Sequence, residues 1–132
     1  MYQRAWRVEH ADERAERDRA YYAEHADERR EWQRAYVATH IVELAARNRN
    51  RYARKKGNGG THTADDVRAQ YARQNGRCYW CKAKVGDTYH VDHVMPVILG
   101  GSNGPENLVI ACPTCNLSKG GMHPMDFSGR LL

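Results

Sequence analysis

Two pairs of cysteines, each with two residues between them, constrain this chain more than any other feature of its sequence. The first pair is Cys78 and Cys81, and the second is Cys112 and Cys115. Two residues between thiolates make a tight knuckle that directs both sulfurs at one ion, and two knuckles complete a tetrahedron. Four thiolates leave no open coordination position, so the spacing predicts a structural Zn²⁺ rather than a catalytic one.

The alternatives for these cysteines are a redox pair, unligated thiols and disulfides. A redox pair is typical of a thioredoxin-like unit, and no βαβ pattern surrounds these cysteines. Disulfides are the weaker explanation because the chain resembles a cytosolic protein, in which thiols stay reduced. A zinc staple also suits residues 64–132, which are too few to depend on a hydrophobic core alone.

A fifteen-residue repeat occupies the N-terminal part of the chain. Arg4-Ala5-Trp6 recurs as Arg19-Ala20-Tyr21 and as Arg34-Ala35-Tyr36, and a histidine follows each copy in step. Ala, Arg and Glu dominate, and neither Pro nor Gly occurs before Gly57, which favours helix. We therefore expect a long, exposed helical extension over residues 1–56, a glycine-rich linker over 57–62, and a compact domain over 63–132.

The charge of the chain suits a polyanionic partner. The formal net charge is +5, and residues 1–56 hold 14 of the 21 basic residues and 10 of the 16 acidic ones. Basic side chains displace the counterions that condense on nucleic acid. The end of the extension contains six basic residues and no acidic one, and is either a phosphate-contacting arm or a solvated helix end. The predicted phosphate contacts are Arg47, Arg49, Arg51, Arg54, Lys55 and Lys56.

The segment between the cysteine pairs predicts two strands, followed by a helix. Residues 88–94 are rich in β-branched and aromatic side chains, residues 106–111 form a second apolar run, and residues 113–119 have the features of a short helix. Asp92 and His93 offer a hard oxygen ligand and an imidazole side by side, and a neutral histidine can act as a base at pH 7. Neighbours in a regular strand face opposite sides, so both can serve one site only if the strand twists or ends there.

These residues resemble the HNH endonuclease family. The resemblance rests on His90–Pro96, Gly100-Gly101, Asn107-Leu108 and Cys112–Gly120, and the cysteine pairs match the four-cysteine zinc subgroup of phage and bacterial type. It covers roughly residues 63–122. It implies an α+β fold of the ββα-metal type, stapled by zinc, around one catalytic divalent ion, Mg²⁺ or Mn²⁺.

The resemblance also implies roles for single residues. By motif position, Asp92 and Asn116 would bind the catalytic ion, His93 would be the general base, and Asn107 would pin the loop between the strands and orient His93. Asn116 has a second interpretation as a helix cap. His90 could contact metal or phosphate, or play a secondary part. Lys119 could contact a DNA phosphate or face solvent.

We expect a metal-dependent DNA endonuclease that hydrolyses phosphodiester bonds, producing a nick or a double-strand break. Its expected partner is double-stranded DNA, with a homodimer or other DNA-processing proteins as further candidates. No apolar run could form a signal peptide or cross a membrane, so we expect a cytoplasmic protein of a bacterial cell or phage-infected host. The alternatives are a non-catalytic zinc module that binds nucleic acid, and an interaction protein whose repeat helix docks a partner.

Overall fold

Three helices form the N-terminal part of the chain in the computed structural model, which describes residues 6, 8 and 10–128. They are α1 (Ala11–Glu24), α2 (Ala26–Thr39) and α3 (Ile41–Lys55). The chain divides into two compact units, Met1–His40 and Ile41–Leu132. The sequence boundary after residue 56 therefore differs from the structural division, which places α3 in the C-terminal unit.

Histidines of the repeat interrupt the helix that the sequence predicts to be continuous. His25 and His40 leave helical geometry, with φ/ψ of −97°/16° and −123°/26°. The His40 ring stacks on Tyr36 at a centroid distance of 4.2 Å, and its Nδ1 lies 3.0 Å from the Tyr36 carbonyl oxygen. A side chain that competes for the carbonyl of the preceding turn disturbs the helix there.

Burial explains why α3 belongs to the C-terminal unit. Neither α1 nor α2 contains a buried residue, whereas α3 buries Ala46 and Ala53. Small side chains at these positions allow the helix to pack closely on its own unit. The predicted extension thus consists of an exposed part and a packed part.

The glycine-rich segment after α3 is tied to the rest of its unit. Asn58 Nδ2 donates hydrogen bonds to the carbonyls of Val97 and Gly101, at 3.0 and 2.7 Å. His62 is only 3% exposed. Gly60 has φ +87°, and a Cβ there would collide with the backbone of Gly104. The sequence predicts a hinge or linker here, and the structure shows a packed connection because these bonds satisfy buried backbone groups.

Helix α4 (Ala64–Arg73) begins as its sequence predicts. Thr63 Oγ1 accepts a hydrogen bond from the Asp66 backbone N–H, and the Asp66 carboxylate accepts one from the Thr63 N–H. This capping box satisfies two donors at the start of the helix. Val67 faces inward and is 1% exposed, so α4 packs against the core of the module.

A two-stranded hairpin and a short helix form the predicted strand, loop, strand, helix order. Strand β1 (His90–His93) pairs antiparallel with β2 (Leu108–Ala111), and α5 (Pro113–Lys119) and α6 (Pro124–Ser128) follow. The α+β fold is confirmed, although both strands are shorter than predicted. A single core cluster joins these elements; its buried members are Val67, Cys78, Val85, Ile110, Ala111, Cys115 and Phe127. Among the described residues, no helix is long and apolar enough to cross a membrane.

Candidate active site

The four cysteines meet at one point, as their spacing predicts. The Sγ atoms of Cys78, Cys81, Cys112 and Cys115 all lie within 4.8 Å of one another, and those of Cys81 and Cys112 are 3.9 Å apart. Zn–S bonds of about 2.3 Å in a tetrahedron separate the sulfurs by about 3.8 Å. The cluster therefore fits Zn²⁺ closely. Within the described part of the chain, no other group of three or more His, Cys, Asp or Glu side chains is arranged to hold a metal.

Backbone contacts hold the first knuckle and favour a thiolate at Cys78. Burial of the Cys78 thiol opposes its ionisation, but hydrogen bonds from the backbone of Cys112, Cys81 and Trp80 outweigh burial and lower its pKa to about 7. The Tyr79 N–H donates to the Ile110 carbonyl at 2.8 Å, which attaches the first knuckle to β2. The zinc cluster and the hairpin thus form one rigid frame.

A cleft of about 520 Å³ opens beside the end of β1. Asp92 and His93 both line it, and the ending of the strand at His93 allows neighbouring residues to reach one site. Arg49 and Tyr52 of α3 line the same cleft. A helix that the sequence assigns to an extension therefore forms one wall of the candidate site.

Asp92 lies in this cleft with its carboxylate already bonded. Its Oδ2 accepts a hydrogen bond of 2.8 Å from the Trp80 indole N–H, and its Oδ1 pairs with Lys119 Nζ at 3.1 Å. Lys119 also donates to the His93 carbonyl at 2.7 Å, and its side chain is fully buried. A buried carboxylate needs such partners because burial of an isolated charge is costly.

This placement of Lys119 differs from both interpretations of its sequence position. The side chain neither faces solvent nor extends toward a ligand outside the protein, because Asp92, the His93 carbonyl and the Trp80 ring surround its ammonium. The prediction that Lys119 contacts DNA is therefore corrected to a role inside the site. Its positive charge lies against the cleft without being exposed.

His93 faces the cleft with one ring nitrogen engaged. Its Nε2 lies 2.8 Å from Oδ1 of Asn103. Burial lowers the pKa of His93, and the positive charges of Arg49 and Lys119 lower it further, against the opposing effects of Asn103 and Asp92. A histidine with a lowered pKa is neutral at pH 7 and can accept a proton.

Asn107 ties the loop between the strands to the end of β1. Its Oδ1 accepts from the Met95 N–H at 2.9 Å, while its Nδ2 donates to the carbonyls of Met95 and Ser102 at 2.9 and 2.7 Å. Gly101 leaves the space for this contact, since a Cβ there would collide with the Met95 carbonyl. These bonds are consistent with pinning of the loop, but none of them reaches His93, so orientation of His93 by Asn107 stays a prediction.

The side chains of Asn116 and Asp92 share no hydrogen-bond partner among the described residues. Its Nδ2 is 2.9 Å from Nδ1 of His90, and both residues line a neighbouring pocket that Arg49 also borders. The bond uses the amide nitrogen and leaves the oxygen as the atom that could ligate a cation. The donor types at Asp92 and Asn116 suit a hard divalent ion, but the described contacts do not bring the two side chains together.

The predicted phosphate contacts on α3 separate into two groups. Arg47, Arg51, Arg54, Lys55 and Lys56 are exposed, whereas Arg49 is half-buried in the cleft wall. Residues 41–56 hold six basic residues and one acidic residue, while residues 1–40 hold eight basic and nine acidic residues. The excess positive charge therefore belongs to the unit that contains the cleft, and the repeat before it is nearly neutral.

Several residues that shape the site carry no local sequence signal. Trp80 follows Cys78 by two positions and is expected from sequence only to pack; its indole instead holds Asp92. Asn103 lies in a loop that its glycines predict to be flexible, yet its side chain is fully buried. Asn50 and His62 precede the recognisable motif and reach the site only through the tertiary fold.

Comparison with known proteins agrees with this geometry in the C-terminal part of the chain. No curated protein matches the sequence. Residues 78–132 match the family model described as HNH endonuclease, a segment that starts at the first zinc-binding cysteine and contains the hairpin, α5 and α6. This cysteine-stapled C-terminal segment, 55 of the 132 residues, is therefore similar to the HNH endonuclease family.

Proposed function

We propose that this chain is a DNA endonuclease in which His93 activates the attacking water. The observation that carries the proposal is the convergence of Asp92 and a neutral His93 in one cleft, with the guanidinium of Arg49 in its wall. The similarity of residues 78–132 to HNH endonucleases supports nuclease activity, and therefore hydrolysis of a nucleic acid.

The proposed reaction is hydrolysis of a phosphodiester bond. His93 takes one proton from water, and the hydroxide oxygen forms a new bond to phosphorus. The bond from phosphorus to the leaving 3′ oxygen breaks, and that oxygen takes up a proton from solvent. Positive charge close to the phosphate stabilises the charge that develops on its oxygens, and Arg49 is the cleft side chain placed to supply it.

We further propose that cleavage depends on Mg²⁺ or Mn²⁺, held by Asp92 and Asn116. Such an ion would supply positive charge at the scissile phosphate and the leaving oxygen. In the structure Oδ1 of Asp92 pairs with Lys119 instead. Binding of the ion therefore requires that Asp92 give up its ion pair with Lys119, or share its carboxylate between Lys119 and the ion. It also requires that Asn116 turn its amide oxygen toward Asp92.

Double-stranded DNA is the proposed substrate. The basic side chains on the exposed face of α3 suit the closely spaced phosphates of a duplex. One cleft cuts one strand, so a double-strand break would need a homodimer, a second DNA-processing protein or two successive events. We place the activity in the cytoplasm of a bacterial cell or of a phage-infected host, because thiolate ligands persist in a reducing compartment.

Cleavage of supercoiled plasmid by the zinc-loaded protein tests the proposal. We expect nicked or linear product with Mg²⁺ or Mn²⁺ and none with EDTA. His93→Ala should reduce the rate by roughly 10²–10⁴, the usual contribution of a general base. His123→Ala is the matched control, because His123 lies in the same unit but does not line the cleft.

The alternative function gives a different pattern in the same assay. The ion pair between Asp92 and Lys119 would also suit a zinc module that binds nucleic acid without cutting it. Folded protein that shifts DNA in a gel but leaves plasmid intact under every divalent cation would refute the nuclease. Cleavage of RNA in preference to duplex DNA would overturn the substrate assignment alone.

A further inference from the structure

A network of partly buried hydrogen bonds connects helix α3 to His93. Asn50 on α3 bonds to the backbone of His62, and its Oδ1 also accepts from Asn103 Nδ2 at 2.7 Å. Asn103 Oδ1 in turn lies 2.8 Å from His93 Nε2. Asn103 is fully buried and His62 is 3% exposed, so water does not substitute for these bonds. Asn50 and His62 lie outside the segment that matches the family.

Backbone groups of His62 fix the direction of hydrogen-bond donation at the α3 end of this network. A backbone N–H can only donate, and a carbonyl can only accept. The His62 N–H donates to Asn50 Oδ1 at 3.1 Å, and the His62 carbonyl accepts from Asn50 Nδ2 at 2.8 Å. The Asn50 amide therefore has one orientation, and the atom that it presents to Asn103 is its oxygen.

The orientation of the Asn50 amide in turn fixes the orientation of the Asn103 amide, and with it the protonated nitrogen of His93. Because Asn50 presents an acceptor, Asn103 must present its Nδ2 to it, which turns Asn103 Oδ1 toward His93. An oxygen acceptor requires a proton on the facing ring nitrogen. Neutral His93 therefore carries its proton on Nε2, and Nδ1 remains free to accept one.

The backbone of Asn103 is anchored independently of its amide. Its N–H donates to the Gly59 carbonyl at 2.8 Å, and its own carbonyl accepts from Nδ1 of His62 at 3.0 Å. Nε2 of His62 accepts from the Arg49 guanidinium at 3.0 Å. The backbone of Asn103 is thus clamped from the connection between α3 and α4, while Asn50 decides which atom of its amide faces His93.

We propose that Asn103 is a positioning residue for His93, and that Asn50 and His62 set its polarity from outside the family segment. Asn103 holds His93 in one tautomer and one ring orientation, so that Nδ1 faces the substrate side of the cleft. This inference rests on the proposed role of His93 as the base. It makes helix α3 part of the catalytic apparatus as well as a surface for phosphates.

The test measures the tautomer of His93 by NMR, and the rate of DNA cleavage in a separate assay. Two-bond ¹H–¹⁵N spectra of the full, zinc-loaded chain above pH 7.5 should show His93 protonated on Nε2 alone. Asn103→Leu, which keeps the size of the side chain but removes its amide, should give a mixture of tautomers. It should also lower kcat by at least tenfold with little change in KM, because binding of DNA does not use this bond.

Three further variants distinguish positioning of His93 from simple loosening of the loop. Asn58→Leu removes bonds that anchor the same loop through Val97 and Gly101, but it touches neither Asn103 nor His93. It should keep the Nε2–H tautomer. Asn50→Asp keeps an acceptor facing Asn103 and should preserve the tautomer better than Asn50→Leu, which removes that acceptor.

The outcomes distinguish this inference from the proposed function. A His93 that carries its proton on Nδ1 in the active, unmodified protein would overturn the inference and leave the nuclease intact. Equal effects of Asn103→Leu and Asn58→Leu on tautomer and on kcat would also overturn it. A correct tautomer in a protein that never cuts DNA would instead refute the proposed function.

Discussion

At the scale of single residues, Asp92 and Lys119 form the most deeply buried ion pair among the described residues. Their side chains are 8% and 0% exposed, and Trp80 completes the environment of both by donating to the carboxylate and lying under the ammonium. A buried ion pair adds little net stability compared with apolar residues, but removal of one partner leaves an uncompensated charge. Lys119 is therefore the buried charge partner of the residue on which the proposed metal site depends.

Replacement of Lys119 tests this interpretation. Lys119→Met should lower the free energy of unfolding by about 3–5 kcal/mol, because Asp92 would stay buried without its cation. Denaturant unfolding of the zinc-loaded protein would measure the change. Lys84→Met is the matched control on an exposed lysine, for which we expect a change within about 0.5 kcal/mol. Equal losses for both variants would contradict the role of the ion pair.

At the scale of elements, α3 combines two functions on different faces. Its buried alanines pack it against the C-terminal unit, Asn50 and Arg49 contribute to the site, and its exposed face carries the basic side chains. The helix starts immediately after His40, where the repeat is interrupted. A strongly charged face on a helix that is fixed beside the cleft can position DNA relative to His93.

The salt dependence of DNA binding would show which helix contacts the phosphates. Each lost phosphate contact on duplex DNA reduces the slope of log binding constant against log salt by about 0.9. Replacement of both Arg51 and Arg54 by glutamine should therefore reduce the slope by up to about 1.8. The matched control replaces Arg14 and Arg17, which are exposed on α1, and should leave the slope unchanged. An equal reduction by both pairs would place DNA on the repeat as well.

At the scale of the whole molecule, the two units differ in how far buried residues stabilise their structure. Among the described residues, α1 and α2 contain no buried one, and a surface groove of about 940 Å³ lies between exposed side chains such as Tyr22 and Trp32. That groove is larger than the cleft at Asp92 but contains no arrangement of acid, base and cation comparable to it. The C-terminal unit has a core, a zinc-binding cluster and the candidate site.

Removal of zinc should unfold the C-terminal unit. Zinc binding to such a cluster contributes about 10–16 kcal/mol, which is folding free energy in a domain of this size. A high-affinity chelator, or the substitution Cys115→Ala, should abolish the near-ultraviolet circular dichroism of Trp80. Zn²⁺ should restore the signal after chelation, whereas Mg²⁺ should not. A folded spectrum from protein shown by elemental analysis to be free of zinc would contradict this prediction.

Local patterns predicted much of this fold. The spacing of the cysteines predicted their cluster, and runs rich in β-branched, aromatic and apolar side chains predicted the two strands of the hairpin. Each of these features depends on residues that are close in sequence, so the physical cause is visible in a short window. The length of the strands and the ordered state of the glycine-rich segment were predicted less well, because distant carbonyls and the hairpin register decide them.

By itself, the sequence determined the zinc knuckles, the α+β order of elements and the placement of Asp92 beside His93. Only the tertiary structure decided what these residues touch. Lys119 reaches Asp92 from α5, and Asn50 reaches Asn103 from α3. Such contacts join segments far apart in sequence, and they exist because the strand register and the zinc cluster bring those segments together. The physical reason is that burial forces each polar group to find a partner, and only the folded chain determines which partner is within reach.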